Sequence, residues 1–154
     1  MTYKINGFID IHSILANERK LGGVIEASVI RLRTGEEYNN PVITNIDFFG
    51  GAFYSLGFIA DNGDHMIVNV GDISKISEPA HKKIHEMNNK MFKAEKLNEK
   101  NCYLKKLCEL NKDVYIKTFI NEVKLLVEDI GEENIGAEID IEFLQTKKKI
   151  VKIA

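Results

Sequence analysis

The stretch from residue 24 to residue 76 reads VIEASVIRLRTGEEYNNPVITNIDFFGGAFYSLGFIADNGDHMIVNVGDISKI. It breaks into short runs rich in Val, Ile, Phe and Tyr, each closed by turn residues, which is the pattern of successive β-strands. Residues 24–33 form the first run and end at Thr34-Gly35. Residues 38–47 form the second; Pro41 within it has no amide hydrogen to give a neighbour and predicts an edge position or a bulge. Residues 53–60 lead into Asp61-Asn62-Gly63-Asp64, a hairpin signal because Asn and Gly tolerate positive φ, and residues 65–70 return from it. A short fifth run at 73–76 follows Gly71-Asp72. Five short strands suit a small barrel better than a sandwich.

Outward from this stretch the periodicity changes. Phe8, Ile11, Ile14 and Leu15 lie at helical spacing before Gly22-Gly23, so residues 8–21 are predicted as a short amphipathic helix. Of the 11 glycines, 9 lie at or before Gly71 and none between 72 and 130, which places a turn-rich half before a helical half. Pro79 is suited to the first turn of a helix, and Ile84, Met87, Met91 and Ala94 form a stripe after it; a break is predicted near Asn98. Residues 113–130 carry Ile116, Phe119, Ile120, Val123, Leu126 and Ile130 on one face, with Gly131 as terminator. Residues 137–143 alternate apolar and acidic, predicting a strand, with 147–153 as its hairpin partner. The expected fold class is therefore α+β: a small β-barrel with an N-terminal helix over residues 1–78, then a helical extension with a C-terminal strand pair over 79–154, packed as one globular unit.

Leu32, Gly35, Tyr38, Asn40, Val42 and Asp47, followed by Val68, Val70, Gly71 and Asp72, resemble the two motifs of the Sm-like proteins, a family of SH3-like small β-barrels. The resemblance covers residues 8–78. It implies a short helix followed by five bent strands, and an RNA-binding ancestry. The positions through which that family contacts RNA carry Gly50-Gly51 and Val70-Gly71 here, and valine offers neither a stacking plane nor an edge partner for a flipped base.

At 154 residues, with 44% hydrophobic and 29% charged residues, the chain is an ordinary globular domain and not a disordered tail. It holds no apolar run of the roughly 18 residues that a spanning helix needs, and its first ten residues lack a signal core; a cytoplasmic protein with no membrane partner is expected. Cys102 and Cys108 sit six apart on different faces of a predicted helix and are read as reduced packing residues. The formal net charge of −2 hides a local imbalance, because residues 81–106 hold 8 lysines against Glu86, Glu95 and Glu99. That balance argues against a dedicated duplex-DNA binder and leaves room for one basic patch.

The candidate ligand-binding residues follow from these features. Phe48, Phe49, Gly50, Gly51, Phe53 and Tyr54 combine a backbone that permits close approach with aromatic faces that can stack on a base, although aromatics beside a glycine turn ordinarily pack inward. Arg31 and Arg33 alternate on a strand and are the better anion forks. Lys82, Lys83, Lys90 and Lys93 are placed on the predicted basic helix, where a solvated surface is the plainer reading. His81 and His85 are four apart on the same predicted helix but lack a third ligand, so no metal site is expected. His12 and His65 lie near carboxylates without any nucleophile motif, and neither a catalytic residue nor a cofactor is assigned. The expected function is a non-enzymatic, homo-oligomeric binding protein for a nucleotide or single-stranded nucleic acid such as RNA. The alternative is a phage or mobile-element interaction protein that inhibits a host defence protein or sequesters a nucleotide immune signal.

Overall fold

The computed structural model describes residues 3–144, the side chain of Arg19 excepted. The chain divides after Glu95 into two compact units. The first unit contains β1 (Tyr3–Lys4), α1 (Phe8–Ala16), α2 (Glu18–Leu21), β2 (Val24–Glu26), β3 (Val29–Leu32), β4 (Glu37–Asn39), β5 (Val42–Phe49), β6 (Ala52–Ile59), β7 (His65–Asn69), β8 (Ile73–Ser77) and β9 (Ala80–Lys82). These strands form a six-stranded sheet of order β1-β9-β2-β5-β6-β7 and a three-stranded sheet of order β4-β3-β8. All pairings are antiparallel. The unit is a strand-rich sheet system with a short helix before it, and no closed barrel is present among the described residues.

Two of the predicted runs are each divided between the sheets. Between β2 and β3 the Ala27 amide donates to Pro41 O at 3.0 Å and the Ser28 amide to Ser77 O at 2.9 Å, so adjacent residues satisfy partners in different strands. Between β4 and β5 the chain turns at Asn40, whose φ of 47° lies in the left-handed region that Asn tolerates, and at Pro41. The bends let each run leave one sheet and join the other, as at the corners of orthogonally packed sheets. Ile25 and Ile43 from one half and Ile30 from the other then meet Leu56 and Phe58 in a single core. Ile11 of α1 is buried in that core, and Phe8, Ile14 and Leu15 pack against it from the same helix face.

Pro79 does not open a helix. It precedes β9, which pairs with both β1 and β2, and its carbonyl accepts the Ile5 amide at 3.1 Å. A proline just before a strand forfeits no ladder bond, so its missing donor is tolerated there as well as in a first helical turn. The Ile84/Met87 stripe belongs to a single helical turn, Ile84–Glu86, and the residue after it. The long helix, α3 (Lys90–Leu110), starts later. Its N-cap is the fully buried Asn89, whose Oδ1 accepts the Phe92 amide at 3.1 Å. The Asn89 Nδ2 donates to the carbonyls of Asn40, Ile59 and Ala60.

The second unit holds the rest of α3, α4 (Lys117–Ile130), and a helical turn at Glu132–Asn134. Its core includes Leu104 together with Phe119, Ile120, Val123, Val127 and Ile130. The break predicted near Asn98 is absent. Helix α3 continues through it, with Asn101 Nδ2 donating to Leu97 O at 3.0 Å and Asn134 O at 2.9 Å and its Oδ1 accepting the Gly136 amide at 2.9 Å. Gly131 closes α4 with a φ of 84°, as its position in the sequence requires. Residues 137–143 are not a strand: Asp140 Oδ1 accepts the Glu142 amide at 2.9 Å and the chain enters a helical turn in which the Leu144 amide bonds Ile141 O. The proposed partner strand at 147–153 lies outside the described residues.

Candidate functional site

The β5–β6 hairpin brings together the most unusual surface of the first unit. Phe49 and Ala52 form the last pair across a two-residue turn, and Gly50 (φ 60°) and Gly51 (φ 82°) supply the two left-handed positions that such a turn demands. A register shift between Asp47 and Phe48 then re-aims the side chains at the tip. Phe48 and Phe53 meet with ring centroids 5.0 Å apart, and the imidazole of His12 lies 6.1 Å from Phe48 and 5.9 Å from Phe53. Phe8, one turn before His12 on α1, also packs on Phe53, with ring centroids 6.0 Å apart. The inward packing expected of these aromatics holds only for Phe53, which rests on the core. Phe49 is 81% exposed, Tyr54 54% and Phe48 52%.

The base of the same hairpin is polar and acidic. Ser55 Oγ donates to Asp47 Oδ2 at 2.5 Å, and Asn45 Nδ2 lies 3.4 Å from both Asp47 oxygens. Asn69 is the cross-strand partner of Ser55 and its Nδ2 reaches Asp72 Oδ2 at 3.4 Å. The hairpin thus presents rings at its tip and the Asp47 carboxylate behind them, with Asp72 of the turn after β7 bonded to Asn69.

The cations named from the sequence do not gather around these rings. Arg31 lies on β3 in the three-stranded sheet, between Glu37 and Lys75 across the two pairings, with its Nε 3.9 Å from Glu37 Oε1. Arg33 is exposed beyond the end of β3, and its amide donates to Asp72 O at 2.8 Å. Lys82 and Lys83 belong to β9 and the loop after it, so the one basic helix expected to carry Lys82, Lys83, Lys90 and Lys93 does not form. Lys82 is turned inward, its Nζ 2.9 Å from the buried Glu26 carboxylate. Lys93 donates to His85 O at 2.9 Å, and Lys90 is exposed in the first turn of α3.

His81 and His85 are likewise not a helical pair. His81 stands on β9 with its Nε2 2.8 Å from Gly22 O, and His85 is in the following turn. Among the described residues no three His, Cys, Asp or Glu side chains are grouped closely enough to hold a metal ion. No helix among them is long and apolar enough to cross a membrane.

Sequence reasoning missed one participant in the cluster of rings and one buried carboxylate outside it. His12 joins the aromatic cluster because it follows Phe8 by one helical turn, a spacing visible in the sequence once α1 is accepted. Glu26 reads as the polar member of an apolar run, and nothing local announces that its partners are Lys82 and the amides of Asn88 and Asn89. Comparison with known proteins returns no match: no protein-family model, no curated protein and no solved structure matches this chain.

Proposed function

We propose that this chain is a non-enzymatic, self-associating binding module of the Sm-like, SH3-like small-barrel type, whose β5–β6 hairpin holds a nucleotide or a short single strand of nucleic acid. The strand order supports the small-barrel part of this reading. Taking β2–β3 and β4–β5 as two bent strands, the order is β8, then the first and second bent strands, then β6 and β7, so a chain-order meander has its last strand returned beside its first. The short helix α1 precedes it, as the resemblance implies.

The exposure of Phe49 carries the ligand reading. A phenyl ring 81% exposed at the tip of a glycine turn contributes nothing to the core, and its flat face suits a base. Phe48 and Tyr54 are exposed on the same hairpin and His12 packs against Phe48 and Phe53, while Arg31 and Arg33, on and just beyond β3 of the other sheet, are the fork donors proposed for a phosphate. Each stacked base contributes about 1–3 kcal/mol. Loss of one ring therefore weakens binding roughly five-fold or more.

A protein partner is the second reading, and the charge around the hairpin favours it. Asp47 lies behind the rings and Asp72 on the turn after β7, while Lys82 and Lys93 spend their ammonium groups inside the protein. In that case the same rings form an aromatic anchor for a macromolecule, such as the host protein of an inhibitor.

The test is a calorimetric titration with a panel of nucleotides and a short oligouridylate, on the natural chain and on Phe49→Ser with Tyr54→Ser. Under the first reading a nucleic-acid ligand binds the natural chain, the double variant loses it, and the ligand-free melting temperature is unchanged because both rings are exposed. Absence of any nucleotide or oligonucleotide binding removes the first reading. Binding unaffected by the two substitutions removes the hairpin from the site.

A further inference from the structure

The second unit contains a cleft of about 360 Å³ between the last turns of α3, the loop into α4 and residues 138–143. Its floor is apolar. Phe143 is stacked between Tyr115 at 5.1 Å and Phe119 at 5.5 Å, and the buried Ile139 completes the surface. The acidic residues Glu109, Asp113, Glu138 and Asp140 line the cleft, and all four are exposed. Lys105 and Lys112 also line it, but among the described residues no ion pair joins either lysine to any of the four acids. Asp140 is held in place by accepting the Glu142 amide through Oδ1 at 2.9 Å. Cys108 lies in the same wall, half-buried, and both burial and the Asp140 charge push its thiol up from 9.0.

The chemistry of this hollow selects among ligand classes. An anion meets four carboxylates against two ammonium groups. A neutral apolar molecule fills the floor but strips water from the carboxylates without replacing it. A bare metal ion needs oxygen ligands converging on one point, and no such group of three is present among the described residues. A cation on a hydrocarbon stem satisfies both parts: the methylenes cover the rings and Ile139, and the ammonium protons reach the carboxylates.

We infer that this cleft binds an aliphatic ammonium group, a primary amine on a methylene chain such as a polyamine or a lysine side chain carries. The two cysteines allow a direct test, because Cys108 is in the cleft wall and Cys102 is exposed elsewhere on α3. Spermidine is expected to slow maleimide labelling of Cys108 at least five-fold while leaving Cys102 unchanged. Asp113→Asn with Glu138→Gln is expected to abolish that protection. An uncharged diol of similar length, and magnesium at equal ionic strength, are expected to give none. Protection by an acetylated tri-lysine peptide but not by spermidine identifies a polypeptide lysine as the source of the amine; the reverse identifies a free polyamine. The inference is overturned if neither amine protects Cys108, or if the diol or magnesium protects it equally. Where Cys108 labels too slowly to follow, calorimetric titration of the full chain with the same four probes gives the same decision.

Discussion

Glu26 is fully buried, and its carboxylate is nonetheless completely engaged: it accepts from Lys82 Nζ at 2.9 Å, from the Asn88 amide at 2.9 and 3.0 Å, and from the Asn89 amide at 2.9 Å. It thereby fixes β2, β9 and the residues that start α3. Removing one partner of such a pair strands the other in a poorly solvated place, at a cost of about 3–5 kcal/mol. Glu26→Ala should lower the unfolding free energy obtained from urea titration by an amount in that range, and adding Lys82→Met to it should recover part of the loss, since the unpaired ammonium is then gone. Tyr38 offers a second residue-level test. Its hydroxyl donates to Glu36 Oε2 at 2.6 Å, and this bond, then burial, then the Glu36 and Asp64 charges raise its pKa above 10.0. The folded state holds that proton more tightly than the unfolded chain. The contribution to stability is therefore complete below the unfolded value and lost as pH rises through the folded one. Urea midpoints followed from neutral pH to about pH 11 should fall less steeply for Tyr38→Phe than for the natural chain. An identical alkaline decline would show that Tyr38 does not govern it.

Elements were legible in the sequence wherever a local rule acts alone. The turn at Asp61–Asp64 forms with Gly63 at φ 88° and the Asp64 amide bonded to Asn62 Oδ1 at 3.0 Å, because Asn and Gly make that turn without outside help. Helix α1 and helix α4 follow their apolar stripes, and β5 through β8 follow their Val, Ile and Phe runs. Errors arose where a distant partner decides. Strand β9 exists because β1 and β2 flank it, and three residues carry too little pattern to announce that. Helix α3 survives the polar stretch at Asn98–Asn101 because Asn101 is bracketed by the carbonyls of Leu97 and Asn134. The alternation at 137–143 is cancelled by Asp140, whose side chain binds the Glu142 amide and starts a helical turn that carries Phe143 onto Tyr115 and Phe119. At the candidate site the sequence showed which rings flank the turn. Their exposure could not be read there, because it depends on the shift of register between Asp47 and Phe48.

For the molecule as a whole, the open strand edges decide what self-association would look like. Four described strands, β1, β4, β7 and β8, stand at sheet edges; β7 pairs only with β6 and β8 only with β3, so each leaves one edge open. Exposed edges template further pairing, and soluble proteins ordinarily guard them with charge, proline or a covering element. Here β7 instead carries Ile67, 78% exposed at its centre, and β8 borders a hollow of about 390 Å³ lined by Ile5, Phe8, Ile11, Ile73, Ile76 and Pro79. Two unlike edges on one unit pair head to tail, which closes into a ring when the rotation per copy divides a full turn. Of these edges β7 and β8 border exposed apolar surface, so the self-association proposed above is expected to run through β7 of one copy and β8 of the next. Light scattering should return a mass that is a multiple of 17.5 kDa. Ile67→Lys should reduce it to that of a single chain while changing stability by no more than about 0.5 kcal/mol, because the side chain is exposed within the monomer. A natural chain that is monomeric at tens of micromolar would remove edge pairing from the reading. An Ile67→Lys variant that stays assembled would move the interface away from β7.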